Sequence, residues 1–280
     1  MGRRLAAIIA LPFVAFIGLF LIYPTIVLVA KSLTPGGDFG TSALTRALQG
    51  TYLTGFINSA RLSLTSALIG GVLGFILALV LARMDRPRWV RSFIDSWSAV
   101  ASQLGGVPLA FAFIAAIGTQ GLVTKALNLV GIDSSAAGVA PTGFWGLVVV
   151  YLYFQIPLMF LVVVPAVMGL RSSWREAAAT LGARATRYWL WIGLPILAPS
   201  ILGGLILLFV NSFTAYATVY VLNPGASLVP LQIRFVLQGN VISGEEDLGY
   251  AIVTWVILLL IIALFAMTWL QRRTLQWMAA

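Results

Sequence analysis

The chain has 280 residues, 60% of them hydrophobic and only 9% charged, with a mean hydropathy of +1.01 and a formal net charge of +9. That composition lies far from water-soluble domains and makes lipid the solvent for most of the chain. Cysteine and histidine are both absent, which excludes disulfides, thiol nucleophiles, Cys/His zinc sites and Ser/His/Asp or Cys/His triads. Neither lysine, Lys31 or Lys125, follows a glycine, so a phosphate-cradling GxxxxGK[ST] loop is excluded as well.

Six apolar runs are long enough to cross hydrocarbon, at about residues 5–30, 58–82, 93–118, 145–170, 198–222 and 248–270. The expected fold class is therefore all-α: a polytopic membrane protein with about six transmembrane helices, read as one transmembrane domain over 1–280 with a core at about 58–270. The first run follows Arg3 and Arg4 but continues past Pro12 to Val29 without a small-x-small cleavage site, so it reads as a span and not a signal peptide. In the second, Asn58, Ser59 and Ser63 are polar, and Gly70, Gly71 and Gly74 suit close helix packing.

The third run is polar in its first half, with Asp95, Ser96, Ser98, Ser102 and Gln103. Ser102, Gln103, Gly105, Gly106 and Pro108 predict a distorted helix with exposed backbone groups, and Asp95 stands four residues past Arg91 as an i, i+4 pair. In the fourth run Tyr151 and Gln155 share a face, and Pro157 and Pro165 mark points of bending.

The connection at 172–195 is the polar exception. Ser173 and Glu176 fit a capping box, Glu176 to Leu181 are mostly good helix formers, and Gly182 offers the backbone freedom to end the helix. A second helical stretch through Tyr188, Trp189, Trp191 and Ile192 suits a membrane interface, with Pro195 and Pro199 marking entry into the fifth span. The exposed alanine-rich helix reads either as an amphipathic linker or as an element that fits a groove on a soluble partner. In the fifth run, Asn211, Thr214 or Ala215, and Thr218 recur at helical spacing beside Tyr216 and Tyr220. With Tyr151, Gln155 and Gln103 they are the candidate substrate-pathway residues, the alternative being interhelical hydrogen bonding. The outer connections, 119–144 and 223–247, are long enough for small helices. LVPLQIRFVLQ is amphipathic, and Glu245, Glu246 and Asp247 are a candidate docking turn.

The basic residues orient the chain. With the N-terminus cytoplasmic, that side holds Arg3, Arg4, Arg83, Arg86, Arg88, Arg91, Arg171, Arg175, Arg184, Arg187, Arg272 and Arg273, twelve of seventeen. Both termini are then cytoplasmic. Basic clusters that flank spans explain the pI near 10.5 without nucleic acid.

Glu176, Ala177, Ala178, Gly182, Ile192, Leu194 and Pro195 reproduce the EAA motif of the permease subunits of binding-protein-dependent ABC importers. The chain resembles that family over nearly its whole length, including NSARLSLTSALIGGVLGFILA from Asn58 to Ala78. The resemblance implies a type I importer subunit of the cytoplasmic (inner) membrane. Its partners would be an ABC ATPase dimer, a second permease chain, identical or related, an extracytoplasmic solute-binding protein and membrane lipid. It implies no catalytic residue, cofactor or metal in this chain, with ATP and Mg on the ATPase. The coupling helix maps onto 174–182, with Arg175, Glu176, Ala177, Ala178, Gly182 and Pro195 as the coupling set; Arg175, like Arg184 and Arg187, also reads as a lipid-headgroup charge. GGVPLAFAFIAAIGTQG and NSFTAYATVYVLNPG look more like the polyamine, phosphonate and ferric-iron branch than the sugar branch. The expected solute is a polyamine or an aminophosphonate, the alternatives being ferric iron, another small anion, or an ion-coupled secondary carrier.

Overall fold

A computed structural model describes residues 11–83, 88–129, 142–238 and 246–279. Arg3, Arg4, Arg86, Asp133, Glu245 and the adjoining parts of both outer connections lie outside the described residues.

Every regular element among the described residues is helical, as expected where lipid cannot hydrogen-bond a peptide group and each helix satisfies its own. In chain order these are α1 (Leu11–Leu33), α2 (Ser42–Arg46), α3 (Gly50–Arg83), α4 (Arg88–Gln103), α5 (Gly106–Ile117), α6 (Leu122–Leu129), α7 (Phe144–Met168), α8 (Ser172–Thr180), α9 (Ala185–Tyr188), α10 (Leu194–Phe213), α11 (Ala217–Leu222), α12 (Val229–Leu237) and α13 (Glu246–Ala279). Six stretches are long and apolar enough to span a membrane: Leu11–Leu33, Gly50–Ala82, Val107–Ala126, Phe144–Met168, Ala185–Phe213 and Glu246–Leu270. The expected six are all present.

Two of the expected spans are not continuous helices. The third breaks at Leu104–Gly105 between α4 and α5, and the fifth breaks at Thr214–Tyr216 between α10 and α11. Conversely, Pro195 and Pro199 interrupt nothing, because helical structure runs from Ala185 to Phe213. A wide π turn over Trp189–Gly193, closed by Leu194 N–H on Trp189 C=O, precedes Pro195. Widening the turn there relieves the clash a proline ring makes with the preceding carbonyl. The same arrangement recurs in α1, where a π turn over Gly18–Ile22 precedes Pro24.

The chain divides into two compact units. One draws on the chain up to Phe56 and on Ser227–Leu260, the other on Ile57–Ala226 and the chain from Ile261. In the first unit, polar side chains tie the segments together. Thr254 donates to Ser32 Oγ at 3.0 Å, Trp255 Nε1 to the Leu44 carbonyl at 3.0 Å, and Gln232 Nε2 to the Thr51 carbonyl at 2.8 Å. Asp247 accepts the Gly36 amide at 3.0 Å, so one of the acids expected to form a docking turn is engaged within its own unit. The amphipathic LVPLQIRFVLQ segment folds as α12 and buries Val229, Leu231 and Val236.

The core of the second unit gathers Ala67, Ala78 and Leu81 of α3, Met159, Phe160, Val163 and Val167 of α7, and Leu197 and Leu208 of α10. Glycines set how closely these helices approach. A Cβ on Gly74 would lie 2.6 Å from Met159 Cβ, and one on Gly204 would lie 2.6 Å from Met159 Sδ. A small polar node sits beside this core. Gln155 Nε2 donates to Ser66 Oγ at 3.2 Å, and Ser66 and Ser212 share a hydroxyl bond at 3.1 Å, linking α3, α7 and α10. Arg91 and Asp95 form the expected i, i+4 pair at 3.9 Å. Overpacking of the glycine contact is testable: Gly74→Ala should cost about 1–3 kcal/mol, read as earlier thermal unfolding in detergent. Gly18→Ala, whose Cβ meets nothing within 4 Å, should leave the transition in place.

Candidate functional site

The two breaks enclose one cavity of about 660 Å³. At the first, Gly105 is extended and Gly106 has φ +74°, a conformation that disfavours any residue with a Cβ. Pro108 then falls in the first turn of α5, where its missing N–H has no intrahelical partner to lose. At the second, no glycine or proline intervenes. The Thr214 N–H and Oγ1 both bond back to the Val210 carbonyl, at 3.1 and 2.9 Å, and the i→i−4 ladder ends there, with the Ala215 N–H on the Ser212 carbonyl at 3.2 Å. The Ala215 carbonyl accepts the Tyr151 hydroxyl at 3.5 Å.

Ser102, Gln103, Gly105 and Gly106 line the cavity from the third span, Phe154 and Leu158 from α7, and Leu207, Val210, Asn211 and Thr214 to Thr218 from the fifth. None of the lining residues is an acid or a base. The polarity comes from hydroxyls, amides and the backbone of the breaks.

Of the pathway residues expected from sequence, Gln103, Asn211, Thr214, Ala215 and Thr218 meet at this cavity. Tyr151 and Gln155 do not line it. Tyr151 is 1% exposed, with its hydroxyl on the Ala215 carbonyl, and Gln155 is 0% exposed in the node with Ser66. Their shared face points into the bundle. Thr218 reaches the cavity on a separate helix, so the helical spacing that linked it to Asn211 and Thr214 does not hold across the break. Phe154 and Leu158 went unnoticed in the sequence because apolar residues four apart carry no mark that separates a cavity wall from a lipid face. The Gly105-Gly106-Val107-Pro108 run did carry the signal for the first break.

The connection between α7 and α10 forms the second part of the site. Its helix α8 starts after Arg171, whose side chain makes no cap. The expected capping box is not formed: Ser173 lies inside the helix, and an N-cap hydroxyl acts only from the non-helical residue that precedes it. Arg171 rests over the Trp174 ring at 5.9 Å. Arg175, Glu176 and Ala177 are exposed, Ala178 is buried, and Leu181 is 88% exposed at the helix end. Gly182, at φ +77°, stops the helix with a Schellman pair, Gly182 N–H to Ala179 C=O and Ala183 N–H to Ala178 C=O, both 2.9 Å.

From Ala185 the chain continues helically through the π turn and the exposed Pro195 to Phe213, 29 residues or about 43 Å. One rod thus runs from the Gly182 stop to the Thr214 break at the cavity.

The model of the family described as "binding-protein-dependent transport system inner membrane component" matches residues 70–276. The chain is 25% identical over 222 residues to the putative ferric transport system permease protein FbpB 1 of Haemophilus influenzae, covering 79% of this chain and 34% of that protein. It is 30% identical over 162 residues to the molybdenum transport system permease protein ModB of Mycobacterium tuberculosis, covering 57% of each. The chain therefore spans about a third of the first relative and under two thirds of the second. Its fold matches a bacterial ABC transporter involved in the import of the acidic polysaccharide alginate, with a TM-score of 0.72 over 98% of this chain and 96% of that one at 20% identity.

The Schellman stop yields a local prediction. Gly182→Ala places a Cβ in the left-handed region at about 1–2 kcal/mol, and amide exchange at Gly182 and Ala183 should accelerate while exchange in the α3, α7 and α10 core stays unchanged.

Proposed function

The chain belongs to the family of binding-protein-dependent transport system inner membrane components, and on that premise we propose that it is one membrane subunit of an ATP-driven importer. It lies in the cytoplasmic membrane with both termini inside, an orientation supported by the twelve basic residues on that face. Its partners are an ABC ATPase dimer that holds ATP and Mg, a second permease chain, and an extracytoplasmic binding protein that delivers the solute.

The observation that carries this reading is the rod. Helix α8 presents Glu176, Ala177 and the apolar Leu181 to a cytoplasmic partner, with small side chains that permit close approach. Gly182 lets α8 swing without bending the rod, and the rod ends at the cavity. Closure of the ATPase dimer displaces α8, the rod transmits that displacement, and the Thr214–Tyr216 break converts it into a change in cavity access. Ionic contact by Glu176, backbone freedom at Gly182 and the wide turn before Pro195 each serve this transmission.

The cavity supports a small oxyanion, or an anionic complex of a metal, as the solute. The side-chain amides of Gln103 and Asn211 are donors that suit oxygen anions, whereas a polyamine or a bare trivalent cation calls for carboxylates, and none lines the cavity among the described residues. The relatives named for ferric and molybdenum transport are consistent with this class. An aminophosphonate shares the oxyanion chemistry, and a polyamine does not.

A double substitution, Glu176→Ala with Gly182→Ala, should lower uptake and its stimulation of ATP hydrolysis by about tenfold or more while membrane insertion persists. Uptake and stimulation both at wild-type level would remove the coupling role. The ligand of the binding protein that co-purifies with the complex should be an oxyanion, and a polyamine there would overturn the solute class.

A further inference from the structure

The Thr218 side chain touches the cavity, yet its hydroxyl is not available to a solute. It accepts the Gly106 N–H at 2.9 Å and donates to the Gly106 carbonyl at 3.3 Å, and the residue is 3% exposed. Gly106 is the first residue of α5, and its N–H is one of the orphan donors of a helix start. Beyond Thr218, the far end of α11 is fastened again, where Asn223 Nδ2 donates to the Thr142 carbonyl just before α7 at 2.8 Å. Helix α11 is thus tied by side-chain hydrogen bonds to the third span and to the start of the fourth. Its link to the rod is three non-helical residues, Thr214 to Tyr216.

We infer that Thr218 is a positioning residue that locks α11 to α5, so that the fifth span works as two bodies with Thr214–Tyr216 as the pivot between them. The rod end moves, and α11 stays seated as part of the far wall of the cavity. The two bonds on one residue make the lock specific. Valine fills the same volume but leaves the Gly106 N–H and carbonyl without the hydroxyl, and serine keeps both bonds. Any side chain at position 106 would be strained at φ +74°, although its Cβ would fall only at ordinary contact distance, 3.6 Å, from the Ala217 Cβ. The pivot's role in transport rests on the importer reading, whereas the lock itself does not.

The chain contains no cysteine, so single-cysteine reporters are unambiguous. In membranes without nucleotide, Ala217→Cys should react with a water-soluble thiol reagent about tenfold faster or more when combined with Thr218→Val, as expected for loss of a buried hydrogen-bonding partner. With Thr218→Ser it should keep the rate of the Thr218 parent. Ala78→Cys, in the core at 0% exposure, should remain protected in all three backgrounds. Equal rates for Thr218 and Thr218→Val overturn the lock, and so does exposure of Ala78→Cys, which would make Thr218 a general packing residue. In the assembled complex, ATP should change the labelling of Asn211→Cys on the rod but not that of Ala217→Cys. An Asn211→Cys rate indifferent to ATP in a complex without ATP-driven uptake would sink the importer reading while leaving the nucleotide-free test of the lock intact.

Discussion

A peptide group in hydrocarbon has no water to bond, and this single constraint shapes the molecule. Unbroken helices meet it internally, so any break in a span needs either protein partners or water around it. The breaks at Leu104–Gly105 and Thr214–Tyr216 obey that rule, because both open on the same cavity and both are held by side chains of neighbouring spans. The cavity exists where two helices stop together. Residues that would be unremarkable in water, Thr218 and Tyr151, acquire their importance from the carbonyls and amides they serve.

The same constraint separates the moving parts from the fixed ones. Around Met159 the spans α3, α7 and α10 approach so closely that glycines stand where any Cβ would collide, and the Ser66, Gln155 and Ser212 node adds a polar register mark within that packing. Close-packed interiors resist continuous deformation. Displacement is therefore easiest where the helical ladder is interrupted, at the Gly182 stop and the Thr214–Tyr216 link. The rod between them runs from just past the Gly182 stop to the cavity.

Charge plays its part at the margins. Among the described residues no acid or base lines the cavity, and the Arg91–Asp95 pair, with both side chains half-exposed, is a surface pair of small energetic weight.

Much of this was legible in the sequence. Composition and run length dictated six helical spans, the Gly105-Gly106-Val107-Pro108 run announced one break, and Gly182 announced the end of an exposed helix, because each is a local rule about solvent, proline or positive φ. The second break was not legible, since Ala215 and Tyr216 carry no breaker. Its partners, the Tyr151 hydroxyl on the Ala215 carbonyl and the Gly106 peptide on Thr218, lie far away in the chain. Asn211, Thr214 and Thr218 do meet at the cavity, but from two sides of the break, since spacing of 3.6 residues assigns a face only within one helix. Likewise Gln155 looked like a pathway residue and sits instead in a link between helices, and Ser173 looked like a cap and lies two residues past the N-cap position. By itself, then, the sequence determined the solvent, the number of spans and the end of the exposed helix at Gly182. Only the tertiary structure decided which polar groups face the cavity and which are spent on one another, because that depends on which distant peptide group each side chain meets.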